Sequence, residues 1–187
     1  MSASLAMLGT SALDELHQVF RILPDDAADG LIDALIEAKK ISVYGCGREG
    51  LAIKGFAMRL FHLGLNIHVV GDMTVPHLGQ GDLFIVTAGT GHLNSGEAFM
   101  HAAAADGAKT AVITAQPEGS TPLKADLVVT IPAQTMANDQ TSTASVLPMG
   151  SLFEIAQTIF FELVILKLRD RLGETADTMR SRHTNLE

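Results

Sequence analysis

The chain is poor in cysteine, in basic residues and in aromatic residues, and each shortage excludes a class of protein. Its single cysteine, Cys46, cannot form a disulfide within the chain or a cysteine-rich zinc site. Thirteen Lys and Arg against 21 Asp and Glu give a net charge of −8, and aromatic residues make up only 5%. Without basic clusters or stacking side chains, a nucleic-acid partner is not expected.

Long apolar runs are also missing, since no stretch approaches the roughly 18 residues that a membrane span needs. The N-terminal segment lacks the positively charged flank of a secretory signal, so we expect a cytoplasmic protein with no membrane partner. Hydrophobic residues nevertheless make up 47% and charged residues 18%, which is typical of a compact fold. We therefore expect one folded domain over residues 1–187.

Short apolar runs alternate with helical segments along the chain. Five runs are typical of buried parallel strands, at 41–45, 66–70, 82–87, 109–114 and 126–131. This alternation predicts a doubly wound, five-stranded parallel sheet in a three-layer α/β fold. Helices are predicted at 4–22, 49–63, 151–172 and 174–182, whereas 132–148 shows no periodicity. Two more are predicted to follow N-caps: one capped by Asp25 or Asp26 that reaches 38, and one capped by Asn94 or Ser95 that reaches 106.

The long helix 151–172 carries apolar residues around more of its circumference than one buried stripe requires. They are Leu152, Phe153, Ile155, Ala156, Ile159, Phe160, Leu163, Val164 and Leu166. Either the helix is deeply buried, or its surplus apolar surface meets a second copy of the chain. We favour a homo-oligomer.

Two strand ends are rich in glycine, and each is followed by a segment that can be helical. The first reads Gly-Cys-Gly-Arg-Glu-Gly over 45–50, and the second reads Thr-Ala-Gly-Thr-Gly over 87–91. Free N–H groups at helix N-termini attract anions, so two such turns at one sheet edge predict a pocket for a phosphorylated small molecule. The expected binding positions are Gly45, Gly47, Arg48, Glu49, Ala88, Gly89, Thr90, Gly91 and, less directly, Ser95.

The first glycine turn also fits two other interpretations. Its G-x-G-x-x-G spacing, with Asp72 after the next strand, matches a dinucleotide-binding fingerprint. Two features argue against an NAD(P) site. The chain lacks a second domain, and it has a second glycine turn, which a dinucleotide site does not need. Glycines can also form a tight turn with no ligand. No metal is expected, because His77, His92 and His101 lack the spacing of metal ligands.

Further motifs extend over nearly the whole chain. They are Ala-Met-Arg-Leu-Phe-His-Leu-Gly at 57–64, His-Val-Val-Gly-Asp at 68–72, Gly-Asp-Leu at 81–83, Gly-Ser-Leu-Phe-Glu at 150–154 and Arg-His-Thr-Asn-Leu-Glu at 182–187. With the turn at 45–48, the sequence resembles sugar isomerase (SIS) domains and, among them, the 6-phospho-3-hexuloisomerases. The resemblance implies a flavodoxin-like sheet, a homotetramer and no metal or organic cofactor. It also implies conversion of 3-hexulose 6-phosphate to fructose 6-phosphate in formaldehyde fixation by the ribulose monophosphate route.

The resemblance also implies the catalytic residues. Isomerisation moves a proton between adjacent carbons through an enediol, and needs a base at carbon and an acid–base group at the oxygens. Glu154 is implied as the base, and His183 as its partner, since the family extends a tail histidine into a neighbouring subunit. Alternatively, Glu154 only complements the helix dipole and the tail frays with an idle His183. Arg48 is expected at a phosphate or enediolate oxygen, or in an exposed salt bridge.

Three positions depart from the family's usual pattern, and all lie in the expected phosphate site. Glu49 stands where the family usually has Ser, and Ala88 and Leu93 lack the hydroxyls that are usual there. A carboxylate about 4 Å from a phosphate charge would repel it by roughly 4 kcal/mol. Three interpretations stay open: Glu49 turns outward, the substrate differs, or the protein is a non-catalytic sugar-phosphate sensor.

Overall fold

The computed structural model describes residues 3–140 and 144–186. Within these residues, five parallel strands form one sheet in the order β2-β1-β3-β4-β5. The strands are β1 (Ile41–Tyr44), β2 (Ile67–Val69), β3 (Leu83–Thr87), β4 (Lys109–Thr114) and β5 (Leu127–Thr130). The helices are α1 (Leu5–Ile22), α2 (Asp29–Glu37), α3 (Gly47–His62), α4 (Asn94–Ala105), α5 (Ser151–Leu172) and α6 (Ala176–Ser181), with a short 3-10 helix at Pro122–Lys124. The predicted α/β class and five-stranded parallel sheet are confirmed.

Helices cover both faces of the sheet, which is why the central strands are apolar on both sides. Every residue of β3 is buried. Because successive side chains alternate in a strand, Ile85 faces the larger core under α1, α2, α3 and α5, whereas Phe84 faces a smaller core under α4. The carboxyl ends of β1 and β3 therefore extend from the centre of the sheet, which is covered on both faces.

The long helix α5 is apolar on two sides. Its inner side packs into the larger core, where the rings of Phe161 and Phe56 from α3 stack with centroids 4.3 Å apart. Its outer side leaves an exposed stripe of Ile155, Ile159, Leu163 and Leu166, each between 36% and 48% exposed. The inner side is therefore deeply buried, as one interpretation predicts, while contact of the outer stripe with a second copy of the chain stays a prediction. No helix in the described part of the chain is long and apolar enough to span a membrane.

The observed elements agree with the sequence prediction to within about two residues, apart from α2, which begins two or three residues late at Asp29. The predicted helix caps were wrong. The residues that precede α2 and α4 are Ala28 and Leu93, and neither makes a side-chain cap. The hydroxyl of Ser95, expected as a cap, instead accepts a hydrogen bond of 3.0 Å from the Tyr44 hydroxyl. A tertiary partner thus replaces the local one.

Candidate active site

The two glycine turns lie side by side because β1 and β3 are adjacent parallel strands. Their carboxyl ends form the point where the strand order reverses, with β2 on one side and β4 on the other. The start of α3 packs directly on the end of β1. A Cβ atom added to Gly50 would lie 2.5 Å from the carbonyl oxygen of Gly45, so only glycine permits this approach.

A cavity of about 300 Å³ opens beside these turns. Its lining combines the start of α3, the turn after β3, the loop after β5 and the start of α5. The lining residues are Gly47, Arg48, Glu49, Thr90, Thr135, Met136, Met149, Gly150, Phe153 and Glu154. This volume is at the lower end of the range for small-molecule sites. The ends of β1 and β3 and the start of α5 with Glu154 thus meet at one cavity.

Glu154 lies in the first turn of α5, and its side chain is 19% exposed. Its Oε2 atom is 2.7 Å from Nη2 of Arg48. Burial raises the pKa of the Glu154 carboxyl, and the charge of Arg48 opposes that rise. Arg48 is held in place because it also donates to Oγ of Ser151 at 2.7 Å and to the carbonyl of Met149 at 2.9 Å. The pair thus combines a partly buried carboxylate with a cation that two further hydrogen bonds orient.

Glu49 turns into the cavity, so the expectation that it could turn outward is wrong. Both oxygens of its carboxyl group lie near the N–H group of Gly89, at 3.1 and 2.9 Å from the nitrogen. The fit is tight, since a Cβ added to Gly89 would lie 2.5 Å from the Phe153 ring and 2.8 Å from Oε1 of Glu49. Burial raises the pKa of Glu49 to about 7, and the neighbouring charge of Glu154 adds to the rise.

Five of the residues predicted for the site line the cavity: Gly47, Arg48, Glu49, Thr90 and Glu154. The N–H group of Gly89 donates a hydrogen bond to the Glu49 carboxyl group. The others lie outside the cavity lining, and each has a structural role. They are Gly45, packed on Gly50; Ala88, buried in the smaller core; Gly91, bonded to Ala88 and Thr121; and Ser95, bonded to Tyr44. The cavity is therefore more compact than the two glycine motifs suggest.

His183 lies at the other end of α3, where its ring stacks on that of His62 with centroids 5.2 Å apart. Thirteen residues of helix separate Glu49 from His62, which corresponds to about 20 Å. The tail is held there because Arg182 bonds to the carbonyl of His62 and to both carboxyl oxygens of Glu174, each at 2.8 Å. Within one chain, the structure does not bring His183 to Glu154.

Sequence reasoning missed one wall of the cavity, which Thr135, Met136, Met149 and Phe153 provide. The segment 132–148 has no periodicity, so nothing local indicates that it folds back over the glycine turns. The local signal in the sequence was Gly150 just before α5, because Gly readily takes the positive φ of 77° found there. Met149 beside it also has a positive φ, of 56°, and such strained residues cluster at functional sites.

The structure gives less support to the dinucleotide interpretation of the first glycine turn. Asp72, the candidate ribose-binding residue, is exposed after β2 and does not line the cavity. Among the described residues, no group of three or more His, Cys, Asp or Glu side chains could hold a metal ion. The cavity at the strand-order reversal, with a carboxylate pair and an arginine, defines a small-molecule site of a doubly wound α/β protein.

Comparison with known proteins agrees with this class. The family model described as "SIS domain" matches residues 34–159. A 3-hexulose-6-phosphate isomerase from Bacillus subtilis is 39% identical over 180 residues, which are 94% of this chain and 95% of the relative. Another from Methylomonas aminofaciens is 37% identical over 163 residues, or 87% of each. The chain belongs to the SIS domain family.

A solved structure shows a similar arrangement. It is a Methanococcus jannaschii protein for which a molecular function of 3-hexulose-6-phosphate isomerase was inferred from the crystal structure. It superposes with a TM-score of 0.79 at 31% identity and covers 98% of each chain. The likeness therefore extends beyond the matched family region to α1, the start of α2 and the tail.

Proposed function

We propose that the protein is a sugar-phosphate isomerase that interconverts 3-hexulose 6-phosphate and fructose 6-phosphate. The observation that carries the proposal is the position of Glu154, a partly desolvated carboxylate beside Arg48 in a cavity that also contains a helix N-terminus. The relatives named 3-hexulose-6-phosphate isomerase identify which sugar to test first. The reaction belongs to ribulose monophosphate formaldehyde fixation, and we place it in the cytoplasm.

The chemistry needs one base that takes a proton from carbon and returns it to the neighbouring carbon. Glu154 would take the proton from C2 of 3-hexulose 6-phosphate, which leaves an enediolate across C2 and C3, and then protonate C3. The raised pKa of Glu154 brings its basicity closer to that task. Arg48 would stabilise the negative charge on the enediolate oxygens without moving, because Ser151 and Met149 already orient its guanidinium.

The start of α3 is the part of the cavity best suited to the phosphate group. The first N–H groups of a helix have no partner within the helix, and they carry its positive dipole end. Gly47 and Arg48 line the cavity at this point, and Thr90 is part of the same lining. The phosphate would then sit away from the Gly89 N–H, which Glu49 occupies.

We further infer a homo-oligomer, built on the exposed apolar stripe of α5. Ile155, Ile159, Leu163 and Leu166 recur every three or four residues, so they form one continuous face of the helix. Exposed apolar surface of this kind marks an interaction site on a soluble protein. Assembly also offers the only route for His183 to act in catalysis, by entering the cavity of a neighbouring subunit. We propose a tetramer, in line with the resemblance.

A second candidate function follows from Glu49. When ionised, its carboxylate holds the Gly89 N–H that an anionic ligand would otherwise use. A protein with this obstruction could bind a sugar phosphate as a sensor without converting it. Thermal stabilisation by fructose 6-phosphate without any turnover would support that function over catalysis.

The test is direct incubation of the purified chain with 3-hexulose 6-phosphate, with fructose 6-phosphate formation followed by NMR. We expect turnover by the wild type and loss of at least about 100-fold in kcat in Glu154→Gln. Absence of turnover by the wild type refutes the isomerase proposal.

A further inference from the structure

Within the described residues, two carboxyl groups line the cavity, and the second, beside that of Glu154, belongs to Glu49. It lies between the Gly89 N–H group and the Phe153 ring, and it interacts electrostatically with Glu154. Gln157 from α5, which is fully buried, lies 3.5 Å from the Glu49 carbonyl through its amide nitrogen. Glu49 is therefore fixed through both its backbone and its side chain.

We propose that Glu49 is the second acid–base residue of this site, which moves the protons of the substrate oxygens while Glu154 moves the carbon-bound proton. The inference rests on the proposed isomerase function and deepens it. The resemblance implies His183 for this role, but in the same subunit His183 lies about 20 Å away along α3. The inference gives the role to Glu49 of the same chain instead.

The proton transfers balance over one turnover. Glu154 takes the C2 proton as Glu49, in its neutral form, donates a proton to the C3 carbonyl oxygen, and a C2–C3 double bond forms. The Glu49 carboxylate then takes the proton from the C2 hydroxyl, the C2 carbonyl forms, and Glu154 returns its proton to C3. Both residues end as they began, with Glu49 neutral and Glu154 ionised, and no outside oxidant or reductant takes part.

The charges around the cavity favour this starting state. The charged groups that line it in the described chain are Arg48, Glu49 and Glu154, and neither the turn after β3 nor the loop after β5 adds another. Arg48 contacts Glu154, whose ionised form it favours. Glu49 has no such cation beside it and lies next to the Glu154 charge, so two like charges in one small cavity favour a proton on Glu49. Its pKa of about 7 keeps both protonation states accessible near neutral pH.

The test compares four variants with the wild type on 3-hexulose 6-phosphate from pH 6 to pH 9: Glu49→Gln, Glu154→Gln, His183→Ala and Glu37→Gln. Glu37, exposed at the end of α2, is the matched control, since it undergoes the same chemical change far from the cavity. We expect Glu49→Gln to lose about 100-fold or more in kcat with little change in KM. We also expect it to lose the decline in kcat/KM that the wild type shows above about pH 7.

A stability measurement gives a readout that does not need activity. Since folding raises the Glu49 pKa above its unfolded value, the wild type loses stability as pH rises through about 7. Glu49→Gln should therefore gain melting temperature relative to the wild type between pH 6 and pH 8, whereas Glu37→Gln should not.

The outcomes separate the two proposals. A wild type without turnover overturns the isomerase function and this assignment together. A wild type with turnover, combined with a Glu49→Gln variant that keeps its kcat and its alkaline decline, overturns the assignment of Glu49 alone. If His183→Ala then abolishes activity, the second acid–base role belongs to the tail.

Discussion

Two glycines of the same helix, α3, should respond in opposite directions to the same substitution, because Gly50 is buried and Gly55 is exposed. In Gly50→Ala, the new Cβ would lie 2.5 Å from the carbonyl oxygen of Gly45 and 3.0 Å from its carbonyl carbon. Both atoms belong to the backbone, so α3 must move away from β1. In Gly55→Ala, five residues along the same helix, the new Cβ meets nothing within 4 Å.

The magnitudes follow from these contacts. Overpacking costs about 1–3 kcal/mol, and the better helix propensity of Ala returns about 1 kcal/mol, so Gly50→Ala should lose up to about 2 kcal/mol. Gly55→Ala has only the propensity gain and should become up to about 1 kcal/mol more stable. At this chain length, 1 kcal/mol shifts the melting temperature by about 2–4 °C.

Circular dichroism at 222 nm during heating measures both shifts, and kcat on 3-hexulose 6-phosphate gives a second readout. Movement of α3 carries Arg48 and Glu49 away from Glu154, so Gly50→Ala should also lose about 10- to 100-fold in kcat. Gly55→Ala should keep wild-type activity. Equal melting shifts in the two variants would show that the approach of α3 to β1 is not the constraint described above.

Two other regions give independent predictions. Glu97 accepts hydrogen bonds from Lys124, Ser120 and Thr121, and Lys124 is the main reason that its pKa falls to about 2. Glu97→Gln should cost about 1–3 kcal/mol in urea unfolding at pH 7. Because the folded-state pKa lies below the unfolded one, that difference should persist above about pH 4.5 and shrink as pH falls toward 2; a pH-independent difference contradicts it. Leu163→Glu should reduce the solution mass measured by light scattering to that of a smaller species, and an unchanged mass places the oligomer contact elsewhere.

The sequence was sufficient for the parts of the site that depend on local pattern. The two glycine turns follow short apolar strands, and parallel strand ends meet at one edge, so the position of the cavity was predictable. The place of Glu154 in the first turn of α5 was also predictable, because that helix has a clear beginning after Gly150. To predict these features, it is enough to know the strand order and the helix boundaries.

Features that depend on tertiary contacts were not predictable from pattern. The inward orientation of Glu49 is one rotamer choice, and it depends on the Gly89 N–H and the Phe153 ring, which are distant in sequence. The wall at Thr135 and Met136 comes from a segment without periodicity. The tail lies against His62 because Arg182 binds across to Glu174, a pairing that sequence spacing alone does not specify.

The central claim is that Glu154 moves a proton between two carbons of a phosphorylated ketose. The most direct measurement is kcat for 3-hexulose 6-phosphate in wild type and Glu154→Gln, with melting temperatures recorded alongside. We predict a loss of at least about 100-fold in a variant that melts within a few degrees of the wild type. A folded Glu154→Gln variant that isomerises the sugar at the wild-type rate would contradict the account.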